Sequence, residues 1–332
     1  MNSFALADCT TVEAALSQLK DGAVVKAGGV DLLDRMKNGT DTPARLVNIR
    51  NIQSLRGIHA TDQGLSIGAL TTLAEIADDA AIRSQYTVLA DACGHAATPH
   101  IRNMATIGGN LLQGLQCWYY RSAEFQCLRK GKEQCFAFSG LNQYHAIMDY
   151  GGCPSVAPSS GAVALLALDG SVELTSAKGK RNVAMREFYV QPDANPHRFN
   201  VMAADELLTA IHIPKTAAGT RSAYQKYGEK ESHDWAIADA GIVLEMDGNV
   251  CRRAVVAMGA ASPVVRRSRE AEAALTGKPI TQETARAAGK ASMTGAMPLS
   301  MNAYKVQLFP VAIYRTILLA AGQMDRDPSA AG

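Results

Sequence analysis

The ten residues Ile101-Arg-Asn-Met-Ala-Thr-Ile-Gly-Gly-Asn110 carry a pair of adjacent glycines after an apolar segment. A second pair lies in Val25-Lys-Ala-Gly-Gly-Val-Asp-Leu-Leu33, between a predicted strand and a predicted helical turn. Glycine lets successive backbone N–H groups converge on an anion, and a helix that begins just after the turn adds its positive dipole end. Two such turns from neighbouring units could hold a pyrophosphate at their interface. The alternative is that each pair is an ordinary turn.

The first glycine pair lies within residues 1–55, which we expect to form a small α/β unit. Thr10 or Thr11 can cap a helix that runs through Leu19, and the apolar segments Ala23–Ala27 and Arg45–Ile49 have the length of short strands. Alternation of short strands with helical segments is typical of α/β or α+β folds.

The second glycine pair lies in a larger unit, residues 56–214, in which Thr72-Leu-Ala-Glu75 matches a helix capping box and predicts a helix that runs to about Ile82. Residues 220–323 form a third predicted unit. It opens with two apolar stretches, Ala236–Met246 and Val250–Met258, which are joined by an Asp-Gly turn and predict a hairpin. Three helical patterns follow the hairpin. The predicted fold class is therefore α+β, with a small antiparallel sheet and helices in the C-terminal unit.

Composition excludes several classes of protein. The chain has 332 residues, 47% of them hydrophobic, and a formal net charge of +2. That balance argues against a generally basic nucleic-acid binder and against an acidic disordered tail. No apolar run approaches the roughly 20 residues that span a bilayer. The first ten residues carry no basic segment of a secretory signal, so the sequence predicts a cytoplasmic protein.

Several familiar nucleotide and hydrolase motifs are not present in the sequence. We find no G-x-G-x-x-G after a strand, no G-K-[ST] phosphate loop, no H-E-x-x-H and no G-x-S-x-G. A Rossmann fold and a phosphate-loop nucleotidase are therefore disfavoured. A nucleotide site in this chain must be built in another way.

Four of the seven cysteines fall in one window of irregular sequence: Cys117, Cys127, Cys135 and Cys153. Long loops in compact domains are usually functional, and four converging thiolates suit a zinc ion or an iron–sulfur cluster. The window lacks the close C-x₂-C pair of most zinc ribbons, whereas nearby Arg and Lys residues would stabilise thiolates. The alternative is a pair of disulfides or four unrelated thiols.

Other polar and aromatic residues are weaker candidates. Lys226, Lys230 and Asp234 lie in a polar stretch before a strand, for which solvated surface is the default interpretation. The run Trp118-Tyr119-Tyr120 could pack over a cofactor, although such aromatics more often anchor a loop.

The chain resembles the FAD-binding middle subunit of the molybdenum hydroxylases, the group of xanthine dehydrogenase, aldehyde oxidoreductase and carbon monoxide dehydrogenase. The family's first flavin motif, similar to A-G-G-T-x-L-L, corresponds to Ala27–Leu33, and the second, similar to I-R-N-x-A/G-T-I-G-G-N, to Ile101–Asn110. Further matches are Glu206–Ile211 and the turn Pro158–Ser160. Two departures are Val30, where the family has a residue such as Thr, and Ser160, where it often has Asp.

The resemblance implies a two-part, PCMH-like FAD-binding domain, with residues 1–55 as subdomain 1 and 56–214 as subdomain 2, followed by a C-terminal domain at 220–323. The glycine pairs would bind the pyrophosphate through backbone N–H groups, Thr106 and Asn110 would add side-chain contacts, and Ile101 would pack near the flavin ring. The cofactor-binding residues implied are Lys26, Ala27, Gly28, Gly29, Val30, Asp31, Leu32, Ile101, Thr106, Gly108, Gly109, Asn110 and Ser160.

A subset of the family, similar to the 4-hydroxybenzoyl-CoA reductase beta subunit and the periplasmic aldehyde oxidoreductases, carries an inserted loop with a 4Fe-4S cluster. The insertion here would be residues 115–154, which makes the four cysteines of that window the implied metal ligands. No catalytic acid or base is implied on this chain.

By resemblance, the chain is an oxidoreductase subunit that transfers electrons through FAD and the cluster. Its partners would be a molybdopterin-binding large subunit and a 2Fe-2S small subunit in a heterotrimer, together with an external electron acceptor. Export with a partner subunit would place it in the periplasm. The alternatives are a zinc-stapled binding module without catalytic function and a stand-alone flavoprotein reductase.

Overall fold

The computed structural model describes residues 1–230 and 234–325. The strands are β1 Ala5–Asp8, β2 Val24–Lys26, β3 Arg45–Asn48, β4 Ile58–Thr61, β5 Gly64–Gly68, β6 Ser171–Ser176, β7 Gly179–Ala184, β8 Leu207–Pro214, β9 Thr220–Tyr227, β10 Ala238–Asp247, β11 Val250–Gly259, β12 Arg266–Arg267 and β13 Lys278–Pro279. The helices are α1 Val12–Gln18, α2 Val30–Lys37, α3 Leu73–Asp78, α4 Ala80–Gln85, α5 Thr87–Gly94, α6 Pro99–Arg102, α7 Ile107–Leu111, α8 Trp118–Arg121, α9 Ser160–Ala167, α10 Met185–Phe188, α11 Arg269–Leu275, α12 Gln282–Ala291 and α13 Lys305–Ala320.

The N-terminal sheet is parallel, in the order β1-β3-β2. Thr11 caps α1 by accepting a hydrogen bond from the Ala14 amide, so this helix begins where the sequence predicts. The last residue of β2 is Lys26, and α2 begins four residues later at Val30. The first glycine pair therefore forms the connection from a parallel strand into a helix.

The middle sheet is antiparallel, in the order β4-β5-β8-β6-β7. Between β5 and β6 the chain leaves the sheet for helices α3–α9 and the cysteine-rich loop. Helix α9 is buried at every residue and packs in the largest hydrophobic core, together with α5, β6 and β8. Its N-terminus is thereby fixed close to the second glycine motif in α7, which contacts it.

The C-terminal sheet is also antiparallel and follows the path β12-β11-β10-β9, with β13 paired to β11. The hairpin predicted from the Asp-Gly turn is β10–β11. Helices α11, α12 and α13 cover one face of this sheet and complete a second core. Tyr224, Val243 and Val255 from this sheet belong instead to the core of the middle unit, so the two units share packing.

The predicted α+β class is confirmed, although several individual elements differ from the prediction. The helix predicted to run from Thr72 to about Ile82 is divided into α3 and α4, because Asp79 has an extended backbone and caps α4 through the Ile82 amide. Strand β9 was not predicted, since its sequence alternates imperfectly. Within the described residues, no helix has the length and apolar character needed to cross a bilayer.

Candidate functional site

A cleft of about 820 Å³ opens where the three sheets and the α7–α9 region meet. Its walls come from the β2–α2 turn, the start of α7, the start of α9, and strands β9 and β10. All thirteen residues predicted to bind the cofactor line this cleft. The volume suits a large ligand, since typical pockets for drug-sized molecules measure about 300–1,000 Å³.

The N-terminus of α2 opens into the cleft without a side-chain cap. Gly29, its N-cap, has a left-handed backbone with φ of 80°, and no side chain accepts from the first turn. The Leu33 amide donates to the Gly29 carbonyl, so the amides of Val30, Asp31 and Leu32 precede the first intrahelical hydrogen bond. Unpaired first-turn amides together with the helix dipole form an anion site. This end of the cleft suits a phosphate group.

The two glycine turns meet at Gly28. A Cβ added there would lie 2.0 Å from the carbonyl oxygen of Met104, which belongs to the second motif. No side chain fits that space without backbone movement, so Gly28 is required by the close approach of the two turns. The structure therefore brings the two motifs together, as the sequence predicts.

The amides of the second glycine pair are already bonded within the protein. Thr106 caps α7 by accepting from the Gly109 amide at 3.2 Å, and the Gly108 amide donates to the Ala69 carbonyl at 2.9 Å. The expected donation of these two amides to a pyrophosphate is not supported by these contacts. Asn110 Oδ1 accepts from Ser159 Oγ and the Gly161 amide, which ties α7 to α9. The second motif therefore shapes the wall of the cleft.

Asp31, in the first turn of α2, is held by two guanidinium groups. Its carboxylate oxygens lie 2.7 Å from Arg35 Nη1 and 2.7 Å from Arg121 Nη2, and the Gly114 amide donates to it at 2.8 Å. Both arginines also line the cleft. They keep the Asp31 carboxylate from repelling an anion at the helix N-terminus. Sequence reasoning missed both: Arg35 lies one helical turn after Asp31 in α2, and Arg121 comes from the distant α8.

The opposite wall is formed by Tyr224 and Lys226 of β9 and Asp239 of β10. The Tyr224 hydroxyl donates to Asp239 Oδ2 at 2.8 Å, and Lys226 Nζ donates to the His95 and Asp234 carbonyls. Burial raises the pKa of Asp239 to about 6 and lowers the pKa of Lys226. Of the polar stretch interpreted as solvated surface, Lys230 is exposed as expected, whereas Lys226 and Asp234 are partly buried and line the cleft.

The four cysteines of the loop surround one small cavity, which lies apart from the cleft. It is lined by Cys117, Cys127, Cys135 and Cys153 together with Tyr119, Tyr120, Leu128, Arg129, Phe136, Ala137, His145 and Ser155. The structure thus brings together thiols that are far apart in the sequence. The donor set consists of four soft sulfur ligands, which suits zinc or an iron–sulfur cluster. Across residues 1–230 and 234–325, no three His, Cys, Asp or Glu side chains are grouped to hold a metal ion.

Polar groups already point at two of these sulfurs. Arg129 Nε donates to Cys153 Sγ at 3.3 Å, and His145 Nε2 lies 3.3 Å from Cys117 Sγ. The hydrogen bond from Cys135 lowers the pKa of Cys153, and the Arg129 charge adds to that effect against the cost of burial. Burial raises the pKa of Cys117 to about 12. An Arg donor stabilises the thiolate form of a cysteine, which is the form that binds a metal.

A cluster of aromatic residues surrounds the cysteine cavity. Tyr119 packs edge-on to Phe125 with ring centroids 5.0 Å apart, and Trp118 packs against His145 at 5.5 Å. Lys130 Nζ donates to the carbonyls of Tyr119, Ser122 and Phe125. The run Trp118–Tyr120 therefore anchors the loop, which is the second of the two interpretations that the sequence allowed.

Comparison with known protein families gives two matches that together cover most of the chain. Residues 2–216 match the "FAD binding domain in molybdopterin dehydrogenase", and residues 222–320 match the "CO dehydrogenase flavoprotein C-terminal domain". The chain is 34% identical to the aldehyde oxidoreductase FAD-binding subunit PaoB of Escherichia coli (strain K12), over 72% of this chain and 76% of that protein. It is 26% identical to the carbon monoxide dehydrogenase medium chain of Hydrogenophaga pseudoflava, over 94% of this chain and 89% of that protein.

Solved structures agree on the fold. The carbon monoxide dehydrogenase of Hydrogenophaga pseudoflava superposes with a TM-score of 0.76 at 24% identity, covering 98% of this chain and 99% of that chain. Quinoline 2-oxidoreductase from Pseudomonas putida 86 gives a TM-score of 0.77 at 23% identity, covering 98% and 99%. With both glycine motifs in one cleft and both halves of the chain matched, the protein belongs to the family of FAD-binding oxidoreductase subunits of the molybdenum hydroxylases.

Proposed function

We propose that this chain is the FAD- and 4Fe-4S-containing electron-transfer subunit of a heteromeric molybdenum hydroxylase of the aldehyde oxidoreductase or xanthine dehydrogenase type. It would pass electrons between a 2Fe-2S subunit and an external acceptor. The observation that carries the proposal is the pairing of the flavin cleft with the four-cysteine cavity, joined by one short element. Substrate chemistry would take place on a separate molybdopterin subunit.

The residues of the cleft fit FAD. The open N-terminus of α2 at Gly29 suits the pyrophosphate, and the pair Arg35 and Arg121 balances the charge of Asp31 beside it. Ile101 and Ser160 line the remaining walls among the other predicted cofactor residues. The bound flavin would supply two-electron redox chemistry. The role of the protein is then to bind and orient the flavin and to shield it from solvent.

The four cysteines fit a cluster by their donor chemistry and their shared cavity. Arg129 donates to one sulfur, and hydrogen bonds of this kind raise the reduction potential of iron–sulfur clusters. The choice of a 4Fe-4S cluster over zinc rests on the resemblance to the subset of the family with an inserted loop.

A single short helix connects the cysteine cavity to the flavin cleft, and such a short path supports an electron relay. Helix α8 begins directly after Cys117 and ends at Arg121, whose guanidinium contacts Asp31 at the mouth of the flavin cleft. Only three residues therefore lie between Cys117 of the cavity and Arg121 of the cleft. Short protein paths between redox groups are what a relay subunit requires.

We further propose the division into residues 1–55, 56–214 with the insertion 115–154, and 220–323. Each range contains one of the three sheets, which supports these limits. The partners would be a molybdopterin subunit and a 2Fe-2S subunit in a heterotrimer, a proposal supported by relatives whose names call them medium chains or subunits. A cytoplasmic location, or a periplasmic one after export with a partner, stays a prediction.

A reductive titration of the full chain, purified without oxygen, tests this function. Flavin takes two electrons and a 4Fe-4S cluster takes one, so we expect about three electron equivalents per chain. Cys135→Ser should lower the count to about two, remove the broad iron–sulfur absorption and leave FAD bound. Cys251→Ser, which changes a buried cysteine outside the loop, should keep all three.

The rival functions give other results. A zinc-stapled binding module would bind zinc, release no FAD on boiling and accept no electrons. A stand-alone flavoprotein reductase would turn over with a soluble donor and acceptor and would co-purify with neither partner subunit. Two electron equivalents in both the wild-type chain and Cys135→Ser would contradict the cluster assignment.

A further inference from the structure

His145 is a buried histidine in the wall of the cysteine cavity, and it was not among the predicted site residues. The residue is 2% exposed and lines the cavity together with the four cysteines. Its Nε2 lies 3.3 Å from Cys117 Sγ, within hydrogen-bond reach of the sulfur. Its Nδ1 is buried and has no hydrogen-bond partner among the residues that the structure describes. A buried polar ring with one unpaired atom calls for an explanation.

The two ring nitrogens of His145 differ in where a proton can be paired. A cysteine that binds a metal is a thiolate, which accepts a hydrogen bond and has no proton to donate. A proton on Nε2 is then paired with Cys117 Sγ, whereas a proton on Nδ1 would be a buried donor without an acceptor in the described part of the chain. In the metal-bound chain the proton therefore belongs on Nε2, and the imidazole directs an N–H group at one of the four sulfurs.

The C-terminal unit fixes the backbone of His145. Its carbonyl accepts hydrogen bonds from Asn302 Nδ2 and Lys305 Nζ, both at 3.0 Å. Asn302 also donates to the Ala146 carbonyl, and the fully buried Lys305 donates to the Ala260 carbonyl. Two buried side chains from outside the loop thus hold the segment that carries the imidazole.

Neighbouring aromatic rings restrict the imidazole itself. Trp118 packs edge-on to it with ring centroids 5.5 Å apart, and the ring of Tyr119 lies at 6.2 Å. Both residues directly follow Cys117 in the chain, so the imidazole packs against the segment that carries the sulfur. The backbone amides of Tyr119 and Tyr120 also donate to this sulfur. His145 adds a side-chain donor to these backbone donors.

We propose that His145 is a positioning residue for the cluster, whose Nε2–H group donates to the Cys117 sulfur and raises the reduction potential of the bound cluster. Reduction adds one negative charge to the cluster, so an N–H donor at a sulfur stabilises the reduced form more than the oxidised form. Arg129 has the same effect at Cys153. The inference rests on the cluster assignment in the proposed function.

The test measures the reduction potentials of the cluster and the flavin by spectroelectrochemistry on the full chain, purified without oxygen. His145→Phe keeps an aromatic ring against Trp118 but has no N–H group. We expect it to lower the cluster potential by about 59 mV, which is a tenfold change in the equilibrium constant of a one-electron couple. His145→Gln offers an amide N–H in place of Nε2 and should recover at least half of that shift. The flavin potential should stay unchanged in both variants.

His212→Phe is the matched control, because His212 lies in β8 near Glu173 and does not line the cysteine cavity. It should leave both potentials unchanged. A second measurement needs no variant: pulsed electron paramagnetic resonance of the reduced wild-type chain, prepared with nitrogen-15-labelled histidine. We expect a weak coupling between the cluster and a histidine nitrogen, since the N–H group of His145 contacts a ligand sulfur.

An unchanged or raised cluster potential in His145→Phe overturns the inference, and so does a shift in His145→Gln as large as that in His145→Phe. If His145→Phe assembles no cluster, the nitrogen coupling of the wild-type chain decides, and its absence overturns the inference. A wild-type chain without an iron–sulfur signal contradicts the proposed function itself, which distinguishes the two failures.

Discussion

At Gly28, one added methyl group would separate the two turns that form the cleft. A Cβ at position 28 would lie 2.0 Å from the carbonyl oxygen of Met104. Gly28→Ala should therefore destabilise the chain by about 1–3 kcal/mol, as overpacking does, and should lower FAD occupancy more than stability alone explains. Thermal unfolding and bound flavin, measured on the same preparation, check this.

The control for that change is Gly94→Ala. This glycine lies in α5, and an added Cβ would have only an ordinary contact at 3.7 Å with Ala77. Alanine should stabilise the helix slightly and leave FAD occupancy unchanged. If both variants retain full flavin, the close approach of the two turns does not matter for binding.

Asp239 should give the flavin-free chain a characteristic dependence on pH. Burial raises its pKa from 3.8 to about 6. The folded state then holds the proton more tightly than the unfolded state, so this residue favours folding below pH 4 and that contribution is lost as the pH rises to 6. Ionisation of Asp239 therefore lowers the free energy of unfolding by about 3 kcal/mol over this pH range.

Urea unfolding at pH 4.5 and pH 7 measures this dependence. Relative to wild type, Asp239→Asn should gain stability at pH 7 and less at pH 4.5, because the variant carries no buried charge at either pH. If Asp239→Asn is less stable than wild type at pH 7, the ionised carboxylate stabilises the folded chain, which contradicts this prediction.

Single residues of the site differ in how far sequence could predict them. The glycine pairs stand out because the required backbone conformation and close approach restrict the residue type. Lys226 and Asp239 carry no local signal, since their burial depends on the pairing of β9 with β10 and on packing against α5. A polar stretch beside a strand is indistinguishable from surface until those long-range contacts are known.

Among the elements, α8 connects the cysteine loop to the flavin cleft through Arg121. Its guanidinium contacts Asp31 at 2.7 Å, donates to the carbonyls of Gly114 and Leu115, and lies 4.6 Å from the ring centre of Trp235. Arg121→Ala would leave part of the Asp31 charge beside the anion site at the start of α2. We expect FAD binding to weaken by about three- to tenfold, with a larger loss at low salt.

Flavin titration at two salt concentrations checks this prediction. Arg186→Ala is the matched control, because Arg186 makes an exposed pair with Glu187 far from the cleft. An unchanged FAD constant in Arg121→Ala would mean that the loop and the cleft are energetically independent.

Elements with local signals could be predicted, and those held by distant contacts could not. The β10–β11 hairpin follows from an Asp-Gly turn between apolar stretches, and α1, α11 and α12 follow from their caps. Strand β9 is half polar and exists because it pairs with β10. Helices α3 and α4 are separate because the Asp79 side chain accepts a hydrogen bond from the Ile82 amide and so caps a second helix.

For the whole molecule, the sequence predicts three units and a pyrophosphate site between two of them, which the family resemblance identifies as a flavin site. The three sheets fall in the predicted ranges, and the cleft opens where they meet. The cysteine window was predicted as one site from clustering alone, and its four thiols do line one cavity. The spacing of the cysteines in the sequence does not determine which metal group the four thiols bind.

The most direct test of the account counts iron, zinc and FAD on one anaerobically purified sample of the full chain. We predict one FAD and about four irons per chain, with no zinc, as a flavin cleft beside a 4Fe-4S loop requires. One zinc per chain, or FAD without any metal, would contradict the proposed electron relay.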